Sequence, residues 1–378
     1  MQIEQTIWMD GRGWIPAFPG RLGQGAQLVF LFGSPACLKK AAWQTGIVTA
    51  YPNAHRIGCS TAGEIHGTEV TDDSLVATAI AFEHTRLEGV SLKIDDSHGS
   101  YQAGEMLAKA LPGESLVHVL VFSDGQNVNG SELVAGITEQ LPPGVTLTGG
   151  LAGDGDRFQE TLVLWDGPPE SNRIAALGLY GERIKVGFGS LGGWDPFGPE
   201  RLVTRSQGNI LYELDGQPAL ALYKKYLGDY AKDLPASGLL FPLSLKTADN
   251  ESIVRTILGV NEAENSLTFA GDMPQGVHAR LMMANFDRLI DGAVGAARTS
   301  YAAIGGTSPD LALLISCVGR KLVLKQRIEE EVEGVQDILG QGTVLAGFYS
   351  YGEISPFTPS AKCELHNQTM TITTLSEA

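Results

Sequence analysis

Basic residues are scarce in this chain. Lys and Arg number 27 against 43 Asp and Glu, a formal charge of −16 at pH 7, and no basic cluster offsets it. A molecule of that sign repels phosphate backbones and anionic headgroups, so neither nucleic acid nor an anionic membrane surface is expected as a partner. No apolar run approaches the ~18 residues needed to span a bilayer, and the first six residues have neither the basic start nor the apolar stretch of a secretory leader. A cytoplasmic protein without membrane insertion is the expectation. The four cysteines, Cys37, Cys59, Cys317 and Cys363, stand far apart with no C-x-x-C spacing, which argues for reduced thiols rather than a disulfide frame or a zinc site. The chain also lacks a Gly-Lys-Ser/Thr phosphate loop, an H-E-x-x-H helix, a Ser-His-Asp order and a C-x-x-C-H haem attachment signal.

What is present is an ordinary globular composition, 43% hydrophobic and 19% charged over 378 residues, long enough for two domains with separate cores. It also holds a repeat. Gly58-Cys59-Ser60-Thr61-Ala62-Gly63-Glu64-Ile65 is echoed by Gly347-Phe348-Tyr349-Ser350-Tyr351-Gly352-Glu353-Ile354, each copy following a short apolar segment. Both read as a strand end running into a glycine-bearing turn that carries a hydroxyl and a carboxylate, the place where α/β proteins hold ligands.

Three stretches share one plan of apolar strand, helix and apolar strand. The first runs from Gln27 through a helix beginning near Pro35, with Gly46 late in it, to Gly58. The second runs from Leu116 through a helix over Ser131 to Leu141 and on to Gly149-Gly150-Leu151-Ala152-Gly153-Asp154. The third runs from Leu311 through an acidic helix over Gln326 to Leu339 and on to the second signature. This argues for duplication. Further strands at Leu75 to Phe82, Val90 to Ile94, Thr161 to Leu164, Ile174 to Leu179 and Lys185 to Ser190 have no helices between them, so antiparallel pairs are expected as well. The later part predicts strands at Ile253 to Val260, Ser266 to Ala270, Val277 to Met283 and Leu365 to Thr374, and a helix from Asp287 to Ile304. The expected class is α/β, two modules with mixed, partly parallel sheets built from repeated β-α-β units. Residues 1–26 are read as an N-terminal extension, 27–220 as the first module and 221–378 as the second.

The two signature strings, with Gly192-Gly193-Trp194-Asp195-Pro196-Phe197-Gly198-Pro199, Gly208 to Leu220 and His366-Asn367-Gln368-Thr369, resemble the FIST family of sensory domains. The resemblance spans Gln27 to Thr374. It implies a paired N-terminal and C-terminal FIST module of bacterial signalling that binds a small ligand, such as an amino acid or a similar metabolite, without being an enzyme. No output domain is evident, so a separate signalling partner such as a histidine kinase is implied, and a homo-oligomer is compatible with it. A stand-alone subset of the family contains haem-based nitric oxide sensors, which makes non-covalent haem b the alternative reading. His66 and His366 are then the candidate axial ligands.

The candidate ligand contacts follow from position. Cys59, Ser60, Thr61 and Glu64 in the first signature and Phe348, Tyr349, Ser350 and Glu353 in the second would present hydroxyls, carboxylates and one aromatic face to a shared cavity. An amino acid would set its ammonium on a carboxylate and its own carboxylate on backbone N–H groups or Arg320. The plainer alternative is that the glutamates fix their own turns. Ser123 and Asp124 occupy the place matching Ser316 to Arg320, where Asp124 either meets ligand or caps free N–H groups. Asp154 closes a third glycine-rich turn, and Trp194 either walls the pocket or anchors packing. A thiol enzyme using Cys59 is a third reading, weighed against a buried structural thiol. His118, inside an apolar strand, is expected to be core.

Overall fold

The computed structural model describes residues 1–16, 20–94, 99–246, 252–357 and 361–378. It is a mixed α/β protein in which the repeated plan occurs three times, each time around one parallel strand pair. Leu28–Gly33 runs parallel to His55–Ser60, Leu116–Ser123 to Thr146–Leu151, and Leu311–Cys317 to Val344–Ser350. An antiparallel return strand lies on the other side of the first member of each pair: Ser74–Ala81, Arg173–Tyr180 and Met370–Glu377. Beyond the return strands lie Gln2–Met9, Arg86–Lys93 and Ile184–Leu191. Within the segment read as an N-terminal extension, Gln2–Met9 pairs along its whole length with Ser74–Ala81.

Between the second parallel strand and the return strand, each unit lends a crossover strand to a different unit's sheet. Glu64–His66 of the first unit pairs with Val344–Ser350 of the third. Gly352–Pro356 of the third pairs with Thr146–Leu151 of the second, and Val163–Trp165 of the second pairs with His55–Ser60 of the first. The exchange closes a ring. Three matching backbone hydrogen bonds complete it, from Ala62 N to Tyr349 O, Tyr351 N to Leu151 O and Gly153 N to Ser60 O, at 2.8, 3.2 and 2.8 Å. In its centre Phe32, Phe122 and Phe348, one from each unit, pack with ring centroids 4.8 to 5.9 Å apart.

Glycine is required where the parallel pair is closest. A Cβ on Gly58, Gly149 or Gly347 would stand 1.8, 1.9 or 1.8 Å from the carbonyl oxygen of Leu31, Val121 or Leu314 on the neighbouring strand. The close approach at Gly58 and Gly347 is thus between the chain's own strands. Helices cover the sheets from outside: Ala41–Ala50, Ser100–Ala110, Gly130–Gln140, Phe286–Ala303, Val318–Leu324 and Ile328–Leu339. Gly46 lies inside the first of them rather than ending it.

The third unit carries an insertion. The described residues between Asp195 and Met283 form an antiparallel sheet packed on the helix Ala219–Leu227, with its own core including Val203, Leu220, Tyr223, Leu267, Phe269 and Leu281. Its long first strand, Asp195–Gln207, pairs with His278–Met283 and Ile210–Leu214. The ends meet, since Asp195 is the cross-strand partner of Met283, and the Asp195 carboxylate accepts 2.8 Å bonds from Asn285 Nδ2 and Arg288 Nε. The stretch expected as one strand over Ile253 to Val260 is two, Ser252–Arg255 and Ile257–Asn261. That expected over Leu365 to Thr374 is also two, Cys363–His366 and Met370–Glu377, split by the turn at Asn367 to Thr369.

Candidate functional site: a cleft between the ring and its insert

The loops after the parallel strands gather on one face of the ring, and the insert stands over them. Between the two bodies lies a cavity of about 890 Å3. Its ring side is built from Gln126, Asp156 and Phe158 with Leu322 and Val323 of the helix Val318–Leu324; its insert side comes from the 233–240 segment and from Ile257 and Leu258. A cavity of about 260 Å3 adjoins it at Phe158 and Leu258, and a more polar annex of about 340 Å3 adjoins it at Asp156 and Leu322. Thr61, Glu64, Asp73, Arg157 and Lys321 line the annex, where Lys321 Nζ donates to Ala62 O at 2.8 Å and pairs with Asp72.

The two signature glutamates are built alike. Glu64 accepts from Thr61 Oγ1 at 2.5 Å and from Ser74 N and Oγ at 3.2 and 2.6 Å. Glu353 accepts from Ser350 Oγ at 2.6 Å and from Thr369 N and Oγ1 at 3.2 and 3.0 Å. In each, a hydroxyl three residues earlier and one later residue tie down both oxygens. Burial raises the Glu64 carboxyl to about 7 and that of Glu353 to about 8, because removal from water disfavours the charged form. Glu64 borders the annex, whereas Glu353 is wholly interior and lines none of the three cavities. The two glutamates therefore do not face one shared cavity, although the signatures touch through the Glu64–Phe348 strand pair and Tyr351 lines the 260 Å3 cavity.

Asp154, in the second unit, does something different. Its carboxylate accepts from the N–H groups of Phe158, Gln159 and Glu160, each at 2.9 Å, and from Tyr351 Oη, so it ties up the loop that carries Phe158 to the cleft. These bonds hold Asp154 below the usual carboxylate range against the opposing effect of burial.

Residues 27–217 match the FIST N domain and residues 219–356 the FIST C domain. The chain belongs to the FIST family. FIST domains are linked to signal-transduction sensing. Curated relatives include the uncharacterized protein MJ1623 of Methanocaldococcus jannaschii, 24% identical over 334 residues covering 82% of this chain and 62% of that one. The uncharacterized protein Rv0628c of Mycobacterium tuberculosis is 25% identical over 254 residues, 63% of each chain. This FIST chain therefore matches less than two thirds of either relative's length. Among solved structures, cyanuric acid hydrolase from A. caulinodans aligns over 93% of this chain and 90% of its own at 6% identity with a TM-score of 0.36, too low to carry an argument.

In this FIST chain several nominated residues serve the fold instead of a ligand. Arg320 is fully buried and ion-paired to Glu331 at 2.6 Å, and it donates to the carbonyls of Gly192 and Leu289. Glu331, which reads in the sequence as one more charge on an acidic helix, also accepts from Tyr349 Oη at 2.8 Å and from Ser316 Oγ at 3.2 Å. Trp194 donates to Gln368 O at 2.9 Å and packs with Met282, Leu289 and Val323. Asp124 is a cap, accepting from Gln126 N, Asn127 N and Asn172 N. Ser123 Oγ donates to Asp124 O, and Ser60 Oγ accepts from Leu162 N. Cys59 and Phe348 are in the core, and burial pushes the Cys59 thiol well up, which disfavours the thiolate form.

The nominated histidines do not fit a haem. His366 is buried against Phe357 and its Nε2 donates to Ser355 O at 2.7 Å. His66 sits on the crossover strand beside Ala346, and neither lines the cleft. His118 is core, held by Thr146 and Thr148. Sequence reading missed Phe158, Leu258 and Leu322. Phe158 had a signal, being an isolated aromatic in the otherwise polar run Asp154 to Glu160.

Proposed function

We propose that this FIST protein is a signal-transduction sensor that binds a small metabolite in the cleft between ring and insert. A separate signalling protein, of which a histidine kinase is one class, would read the resulting change. The observation that carries this reading is the cavity of about 890 Å3 with one wall from each body, within the range of roughly 300–1,000 Å3 usual for small-molecule sites. A ligand gripped by both walls stabilises one placement of the insert over others, and such differential affinity is what a sensor requires. Binding rather than catalysis is the reading adopted, supported by the use of Asp124, Asp154 and Glu353 to hold loops and by the burial of Cys59.

Leu258 gives the test. It is 44% exposed on the insert side of the cleft, so Leu258→Arg puts a long charged side chain into the cavity without opening a core. Wild type and variant are equilibrated with a metabolite extract, separated from free solutes and analysed by mass spectrometry. Wild type is expected to retain a compound that the variant does not. Equal retention by both, or none by either, would sink the cleft as the sensing site.

A further inference from the structure

Phe158 indicates what the cleft takes. Its backbone lies in the left-handed region, φ 51°, which a bulky aromatic adopts only when its surroundings impose it. Here Asp154 imposes it through three consecutive N–H groups, those of Phe158, Gln159 and Glu160. The phenyl ring stacks on Tyr351, centroids 4.4 Å apart and planes within 17°. Tyr351 is itself fixed by bonds from its hydroxyl to Asp154 and to Gly155 O. The residue nonetheless remains 42% exposed and lines both the 890 Å3 and the 260 Å3 cavities. Leu258, from the insert, lines the same two cavities. Two large apolar side chains held out of the core thus flank one passage, each from a different body. Covering both recovers apolar burial, and a rigid ring with one face already stacked favours a second ring on the other.

We infer that the ligand has a flat, apolar, aromatic or conjugated body lying between Phe158 and Leu258. Its polar substituents would reach Gln126, Asp156 or Lys325 at the cavity edge. This deepens the sensor reading and rests on the cleft being the binding site. Phe158 is then the specificity-determining residue, and Asp154 and Tyr351 are positioning residues acting through it. The ligand class differs from the amino acid read from the signature glutamates, since Glu353 and Arg320 are committed inside the protein.

The experiment uses the full chain and N-phenyl-1-naphthylamine, an uncharged aromatic probe whose fluorescence rises on leaving water, with 1-decanol as an aliphatic competitor. Wild type is expected to bind the probe saturably at one site, and Leu258→Arg to abolish that binding. Phe158→Leu should weaken the probe by about 3- to 10-fold, the range expected from loss of one aromatic stack, while changing decanol competition by less than about 2-fold. Phe158→Tyr, which keeps the ring, should keep the affinity. Met106→Ala, 47% exposed on the helix Ser100–Ala110 and outside the cleft, should change nothing. Circular dichroism and thermal midpoints establish that each variant is folded. Probe binding that is lost in Leu258→Arg but unchanged in Phe158→Leu overturns the aromatic class and leaves the cleft standing. Probe binding that is absent, or indifferent to Leu258→Arg, overturns the cleft itself.

Discussion

Glu353 is a wholly buried carboxyl group whose hydrogen bonds come from Ser350 and Thr369. Its pKa of about 8 against an ordinary 4.5 means that, between those values, the native state keeps a proton that the unfolded chain has released. The associated stability is complete below pH 4.5 and is lost as pH rises through 8. Glu64 behaves alike up to about 7. His118 and His366 act in the opposite sense, because burial depresses them to about 3 and 4. The unfolded chain takes up their protons below about pH 6.5, so their contribution grows as pH climbs to that point and is then constant. Above pH 6.5 the two glutamates dominate, and the buried thiols add to the fall only as pH nears their ordinary value of 9. Urea unfolding is expected to show stability falling by about 2 kcal/mol between pH 6.5 and 8.5, with Glu353→Gln removing more than half of the fall. An equal fall in both proteins would refute the assignment. That Glu64 and Glu353 are counterparts was legible from their spacing. Their role was not, because a hydroxyl three residues before a carboxylate serves a turn and a ligand equally well.

Among the elements, the parallel pairs were the most legible and the crossovers the least. Leu116 to Phe122 and Leu311 to Ile315 are runs buried on both faces, so a continuous apolar string marks them. Glu64–His66 and Val163–Trp165 have three residues each, too few for alternation to register, and nothing local says that they cross to another unit's sheet. The strand Asp195–Gln207 was hidden for a different reason. Pro196, Gly198 and Pro199 read as a turn, and the structure accommodates them with a register shift between Pro196 and Glu200. The glycines of the parallel pairs make a clean test. Gly347→Ala sets a methyl 1.8 Å from the Leu314 carbonyl oxygen, so the two strands must part; a loss of about 3 kcal/mol or more is expected in urea unfolding. Gly342→Ala, where an added Cβ meets nothing within 4 Å, should stay within about 0.5 kcal/mol. Equal costs at the two positions would mean that close strand approach is not what selects glycine.

The molecule as a whole divides into ring and insert, not at the junction between the two family matches at residues 217 and 219, which lies inside the insert. A fragment of residues 1–217 would leave Glu64–His66 without Val344–Ser350, Thr146–Leu151 without Gly352–Pro356, and Ile184–Leu191 without Met370–Glu377. It would also expose Phe32 and Phe122 where Phe348 now covers them. Losing one unit therefore opens both of the others, and cooperativity should go with it. The insert is a different case, having its own core and adjacent ends at Asp195 and Met283. Joining Trp194 to Ala284 by a short Gly-Ser turn should leave the ring folded, with a sharp urea transition and native near-ultraviolet dichroism. The 1–217 fragment should show a broad transition and weak near-ultraviolet signal. A fragment that unfolds as sharply as the whole chain would show that the exchanged strands do not bind the three units into one cooperative body.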